Sequence, residues 1–370
     1  MLALLKRLFA RPGRAAVRAP PISAASLTPS PHSSPPSSPH SSPHSSPHSS
    51  PALRAAPQPA LDFETFACLL KLARAVEEIP SEAVQREESA LAEAIVEHYL
   101  AHRPGPESFP ALSLQVINLV AAPSVDSQKL GQLVSQDPAL ATSVLRVANS
   151  PLYKGISKIE TVRGAIARLG LAEVARIASA ASARSLFSPR LRTQFATLEP
   201  YFSALFQEAV TIALGASWLA MRKRQARADR AYLGGLLHDV GKSIALRSLA
   251  ALIADGKVQL NAALLPRVLE QVHVLIGEDA HKNWSLPPFL VQVAAHHHDG
   301  QGQAEEMIDL SVVRLCSALR ALRTQVKERP GAAAELVESA QLLEVDPYEL
   351  RALDAELHLC SARAANLMGF

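Results

Sequence analysis

Apolar residues recur along this chain at intervals of three and four, the period of helices rather than the alternation of strands. Leu61 to Glu78 puts Phe63, Phe66, Leu70 and Ala73 on one face, and Pro80 stops it. Ser81 then stands at a cap position ahead of Val84, Leu91, Ile95 and Tyr99, which predicts a second helix through Leu100. His102-Arg103-Pro104-Gly105-Pro106 is a turn-rich boundary. Beyond it, Leu112, Val116, Leu119 and Val120 mark one helix, and Leu130, Leu133 and Val134 the next. Asp137-Pro138 is a strong helix start, because Asp caps free N–H groups while Pro suits the first helical position. That helix ends at Asn149-Ser150-Pro151. Thr161 to Leu169 forms another, with Gly170 as its stop, and Leu171 to Phe187 follows as a small-residue helix.

The pattern continues with a long helix from Ala204 to Met221 and a basic turn, Arg222 to Arg227, which reads as a solvated turn more readily than as an anion site. Ala231 to Leu237 is an apolar helical run ending in His238-Asp239, with Gly241 read as a turn. Ile244 to Ile253, Leu264 to Gly277 and Pro288 to His297 are further helices. Two or three more run beyond Gly302 to Phe370, across a polar break near residues 328–331. The fold class is all-α, a multi-helix bundle. Composition agrees: 48% of residues are hydrophobic but only 5% aromatic, and Leu and Ala outweigh the β-branched types.

Residues 1–60 follow another rule. A Ser-Ser-Pro-His repeat over residues 22–51 spaces His40, His44 and His48 by four, and proline and serine at this density cannot bury enough apolar surface to offset chain entropy. The expected organisation is a disordered tail (1–60), a helical lead-in (61–107), a main domain (108–304) and C-terminal helices packed on it (305–370). Net charge is +3, yet residues 1–60 hold six basic residues and no acid, so the remainder carries −3. A nucleic-acid face is not expected on such a body. The basic start, with Leu2, Leu5 and Phe9 beside Lys6, Arg7 and Arg11, allows at most weak membrane contact through residues 1–18. Cys68, Cys316 and Cys360 have no metal or disulfide spacing. No run reaches the roughly 18 apolar residues of a membrane span, and the expected compartment is the cytoplasm.

The chemistry centres on His238-Asp239. An imidazole and a carboxylate side by side can serve one divalent ion or bridge two, and suit Mn, Fe, Zn or Mg, with a single Mn, Fe or Mg ion the expectation here; as a structural pair they would instead hydrogen-bond and close the helix end. The surrounding motifs resemble the HDOD domain, a bacterial signalling module related to HD-type phosphohydrolases. The resemblance rests on Asp137-Pro138-Ala139-Leu140, Leu145 with Asn149-Ser150, Ala165-Ile166 with Leu169-Gly170, Gly235 to Lys242, His273 with Gly277, Trp284 with Leu286-Pro287, and His296-His297-His298.

A hydrolytic HD site, as the resemblance implies, needs an earlier His, the His-Asp pair, later histidines and a closing Asp. Here Glu208 stands at the first of these positions and Ser317 at the last. The candidate metal ligands that remain are His238, Asp239, His273 and His297, with His298 as an alternate and Glu208 as a possible hard ligand. For His296 to His298 the plainer reading is an exposed polar helix end. His297 to Gly302 reads as a glycine-rich turn, because the Tyr-Pro that completes a cyclic-dinucleotide phosphodiesterase motif is replaced by Gln303-Ala304. The expectation is a non-catalytic signalling module acting through signalling proteins or a small-molecule or nucleotide ligand. The alternative is a metal-dependent phosphohydrolase acting on a nucleotide or cyclic dinucleotide.

Overall fold

The computed structural model describes residues 80–153, 155, 157–188, 197–223, 226–325, 329 and 331–368. The tail, the 61–78 helix and the basic membrane-contact segment therefore lie outside the described residues. Helix starts come out as the caps dictate. Ser81 Oγ accepts from Val84 N to open α1 (Glu82–Ala101). Helices α2 (Ala111–Ala121) and α3 (Ser127–Gln136) follow. Asp137 accepts from the N–H groups of Ala139 and Leu140 at the head of α4 (Pro138–Ala148), and Thr161 accepts from Gly164 N at the head of α5 (Val162–Leu169). Gly170, at φ +83°, ends α5 in backbone that a side chain would strain. The expected helix to Phe187 divides into α6 (Leu171–Ala183) and a 3-10 turn over Arg184–Phe187.

Helix α7 (Glu199–Ala220) is the central post. Phe202 and Phe206 bury in the larger core, built from α1 to α11 with Cys360 and Ala364 of the last helix, and Ile212, Ala216 and Leu219 bury in a second core with the C-terminal helices. Each of the Phe, Ile and Leu side chains so removed from water contributes on the order of 1.5–3 kcal/mol. α7 is long and apolar enough to cross a membrane by length and composition, which the sequence reading did not expect of any segment; 67% of that window is buried inside this fold. It packs lengthwise on α8 (Ala228–Leu237) and on α14 (Pro347–Met368).

Helix α9 (Val240–Ala254) lies along α10 (Leu265–Asn283), and α11 (Pro288–His296) crosses α10. Gly241 is not a turn but the second residue of α9. A Cβ there would meet His273 O at 2.0 Å, so α9 and α10 touch backbone to backbone. α12 (Met307–Thr324) and α13 (Ala332–Leu342) pack together, and α14 closes the second core. The basic turn is held internally: Lys223 Nζ reaches Glu349 Oε2 at 2.8 Å, Arg222 stacks on Trp218, and Arg227 donates to Ala121 O and Ala122 O. No strand occurs among the described residues.

Candidate metal centre

Six helices deliver the site. His238 caps α8 and Asp239 begins the approach to α9, a junction that places the two side chains between α7 and α10. His273 faces them from the middle of α10, where α9 comes closest, and His297 and His298 follow the end of α11. Ser317 comes from α12 and Glu335 from α13.

The ring orientations carry the argument. His238 Nδ1 lies 2.8 Å from Gly235 O, His273 Nδ1 3.0 Å from Leu269 O, and His297 Nδ1 3.1 Å from Val293 O. A carbonyl can only accept, so each Nδ1 carries the hydrogen and each neutral ring keeps a lone pair at Nε2. His298 is fixed the same way, with Nδ1 3.1 Å from Glu335 Oε1. The lone pairs then converge. His273 Nε2 is 3.2 Å from His297 Nε2, 3.0 Å from His298 Nε2 and 3.2 Å from Asp239 Oδ1, and His297 Nε2 is 3.4 Å from that same oxygen. These are ion-pair distances without a hydrogen to donate, and Asp239 Oδ1 has no hydrogen-bond partner. Acceptors crowded on acceptors in a buried place fit a cation among them.

Electrostatics favours the same state. Burial lowers the pKa of His238 to about 4 and of His273 to about 3, and holds His298 well below the usual range, so the rings stay neutral and able to ligate. Burial works against the charge on Asp239, but its neighbours, the Lys242 ammonium among them, outweigh it and hold the carboxyl well below its ordinary value. Lys242 Nζ sits 2.8 Å from Asp239 Oδ2 and pairs also with Glu270. Burial would lower the Lys242 pKa, and those two carboxylates raise it instead.

The structure brings some of the sequence-derived candidates together and sets others apart. His273, His297 and His298 each bring one ring nitrogen within 4.8 Å of the others, so the alternate, His298, joins the cluster. His238 stands at its edge, with Nε2 3.5 Å from Ser317 Oγ and 3.5 Å from Asp239 Oδ2. Glu208 is held by Arg320 Nε at 3.0 and 3.1 Å on the wall of an adjoining cleft of about 330 Å³. Burial raises its pKa against the opposing pull of Arg320. Ser317 Oγ accepts from Arg329 Nη1 at 2.7 Å. The histidine run is no exposed helix end: His297 is fully buried, while His298 and His296 are each about a quarter exposed, the former turned to Glu335 and the latter to Asp299. Sequence reasoning missed Glu270, Lys242, Arg329 and Glu335. Glu270 lies one turn before His273 and Lys242 three residues after Asp239, a spacing that signals a shared helical face; Arg329 and Glu335 carry no such local signal.

Three kinds of relative bear on this arrangement. A protein of Treponema pallidum (strain Nichols), named only as uncharacterized, is 24% identical over 204 residues, covering 53% of this chain and 38% of its own length. The chain thus spans well under half of that relative. Among solved structures, a candidate metal-dependent phosphohydrolase from Shewanella amazonensis SB2B is 20% identical with a TM-score of 0.55, covering 75% of this chain and 99% of the other. An HDOD domain protein of unknown function from Geobacter sulfurreducens is 21% identical with a TM-score of 0.51, covering 82% and 100%. A candidate signal transduction protein from Marinobacter aquaeolei VT8 is 19% identical with a TM-score of 0.53, covering 79% and 67%. At these identities the likeness is one of fold. The HDOD domain itself matches residues 107–300, and with more than half of its length so matched and the helices in place, this chain belongs to the HDOD family.

Proposed function

We propose that this chain is a non-catalytic signal-transduction module that holds one divalent ion at His273, His297, His298 and Asp239 and acts by binding a protein partner or a small ligand. The observation that carries the reading is Ser317. Where the resemblance implies an aspartate, a hydroxyl stands with its oxygen already accepting from the Arg329 guanidinium at 2.7 Å. Glu208, at the earlier position, is tied to Arg320. The one change removes a carboxylate from the shell and the other replaces an imidazole with a carboxylate already engaged by Arg320, and water activation requires a complete, fixed shell with an open position.

An ion bound there would supply positive charge and Lewis acidity. The chain's own residues do the rest of the work. Backbone carbonyls and Glu335 orient the rings, and Lys242 holds Asp239 and Glu270 in place. The neighbouring cleft, with Tyr201 and Leu205 on its apolar side and Glu208, Arg320 and Thr324 on its polar side, is a place for a ligand that favours one helix packing over another. Signalling proteins are the proposed partners and the cytoplasm the proposed compartment, where Cys316 and Cys360 would remain buried free thiols.

The test is a hydrolysis assay on purified full chain with added Mn or Fe, using a nucleotide and a cyclic dinucleotide, beside His238→Ala. No turnover above the variant is expected. Phosphodiester hydrolysis that disappears in His238→Ala overturns the reading in favour of a metal-dependent phosphohydrolase.

A further inference from the structure

The C-terminal helices bring charge to the centre from beyond the family match. Arg329, in the link between α12 and α13, is only 7% exposed. Its Nη1 donates to Ser317 Oγ at 2.7 Å, and its Nη2 pairs with Glu335. Ser317 Oγ in turn lies 3.5 Å from His238 Nε2, the lone pair left when His238 Nδ1 donates to Gly235 O. With its oxygen accepting from Arg329, the Ser317 hydroxyl has its hydrogen left for that lone pair. On the other side Glu335 accepts from His298 Nδ1 at 3.1 Å. One guanidinium therefore reaches both edges of the centre, through Ser317 to His238 and through Glu335 to His298.

We propose that Arg329 is a built-in cation for the His238–Ser317 side of the centre, so that the site accepts one divalent ion beside His273, His297 and His298 and refuses a second. The inference rests on the reading of that triad as an ion site. Charge supports it. The carboxylates in contact with the cluster are Asp239, Glu270 and Glu335; Lys242 pairs with the first two and Arg329 with the third. That leaves one uncompensated negative charge and neutral imidazoles, enough for one dication. A second would sit against the guanidinium and find at Ser317 a neutral oxygen with one lone pair already taken by Arg329. Arg329 is thus a specificity-determining residue.

The experiment counts Mn per full-length chain by equilibrium dialysis and elemental analysis, with electron paramagnetic resonance to detect a coupled Mn pair. Wild type, Arg329→Lys and Ser317→Asp should each take one equivalent, the last because the new carboxylate pairs with Arg329. Arg329→Met combined with Ser317→Asp should take two and show the coupled signal. Two equivalents in wild type or in Ser317→Asp overturn the proposal, and so does one equivalent in a folded double variant. If the double variant does not fold, the count for Ser317→Asp still decides. No Mn in wild type overturns the triad reading itself, whereas one in wild type and one in the folded double variant removes only the role of Arg329.

Discussion

His273 and His297 face each other through Nε2 atoms 3.2 Å apart, while each ring holds its hydrogen at Nδ1 against a backbone carbonyl. Two lone pairs that close repel, and the nearest carboxylate oxygen, Asp239 Oδ1, adds a third acceptor. An ion that binds the folded chain but not the unfolded one stabilises it by mass action, about 2.7 kcal/mol at a hundred times its Kd. Mn at that excess should raise Tm by about 4 °C for a chain of this size. Calorimetry with and without chelator measures the shift, and in His273→Leu it should vanish. An unchanged wild-type Tm would remove the ion from the account.

Asn149 fastens the loop between α4 and α5 by three hydrogen bonds. Its Nδ2 donates to Leu145 O at 2.8 Å and Ile159 O at 2.7 Å, and its Oδ1 accepts from Ile159 N at 2.8 Å. Asn149→Ala deletes all three and should cost about 1–3 kcal/mol in urea unfolding. Asn149→Asp keeps the acceptor but turns a carboxylate oxygen on two carbonyls, so it should be no better than alanine. A variant within a few tenths of wild type would show that the loop holds itself.

What was legible in the sequence was what is decided locally. Ser81, Asp137 and Thr161 each cap a helix through N–H groups no more than three residues away, and those starts came out where the pattern put them. Gly241 misled because its reason lies on another helix: the backbone of His273 leaves no room for a side chain there. The surroundings of the candidate ligands follow the same division. His238-Asp239 and His273 were visible as a motif, but the choice of His298 depends on Glu335, and the isolation of His238 on Arg329 through Ser317. Neither partner lies near the histidines in the chain, so no spacing announces it.

The close approach of α9 and α10 makes its own forecast. In Gly241→Ala the new methyl would meet His273 O at 2.0 Å and Gly277 N at 2.8 Å, both backbone atoms that no rotamer can move aside. The helices must separate, and His273 moves with α10 while Asp239 stays with α9. Overpacking of this kind costs about 1–3 kcal/mol, and more where backbone is the obstacle. The expected result is a loss of at least about 3 kcal/mol together with weaker Mn binding. Denaturation and metal titration on the same preparation measure both, and a stable variant with unaltered metal affinity would contradict the packing described.

His281 gives a dependence on pH that stands apart from the ion. The residue is fully buried on α10, with Nδ1 donating to Gly277 O at 2.7 Å and Nε2 without a partner. Burial lowers its pKa from 6.5 to about 4, the Gly277 contact opposing and His297 adding slightly. Because the unfolded chain binds a proton that the fold refuses, the contribution of this neutral ring is complete above about pH 6.5. It declines as the pH falls from there to about 4, by at most about 1.4 kcal/mol per unit. His238 and His273 add slopes of the same sign. His281→Gln removes one proton from the linkage, so relative to wild type it should gain about 2 kcal/mol between about pH 7.5 and pH 5. Urea unfolding in chelator at the two values reads the difference directly. Parallel losses in variant and wild type would mean that His281 is protonated in the fold, its Nε2 donating to a partner.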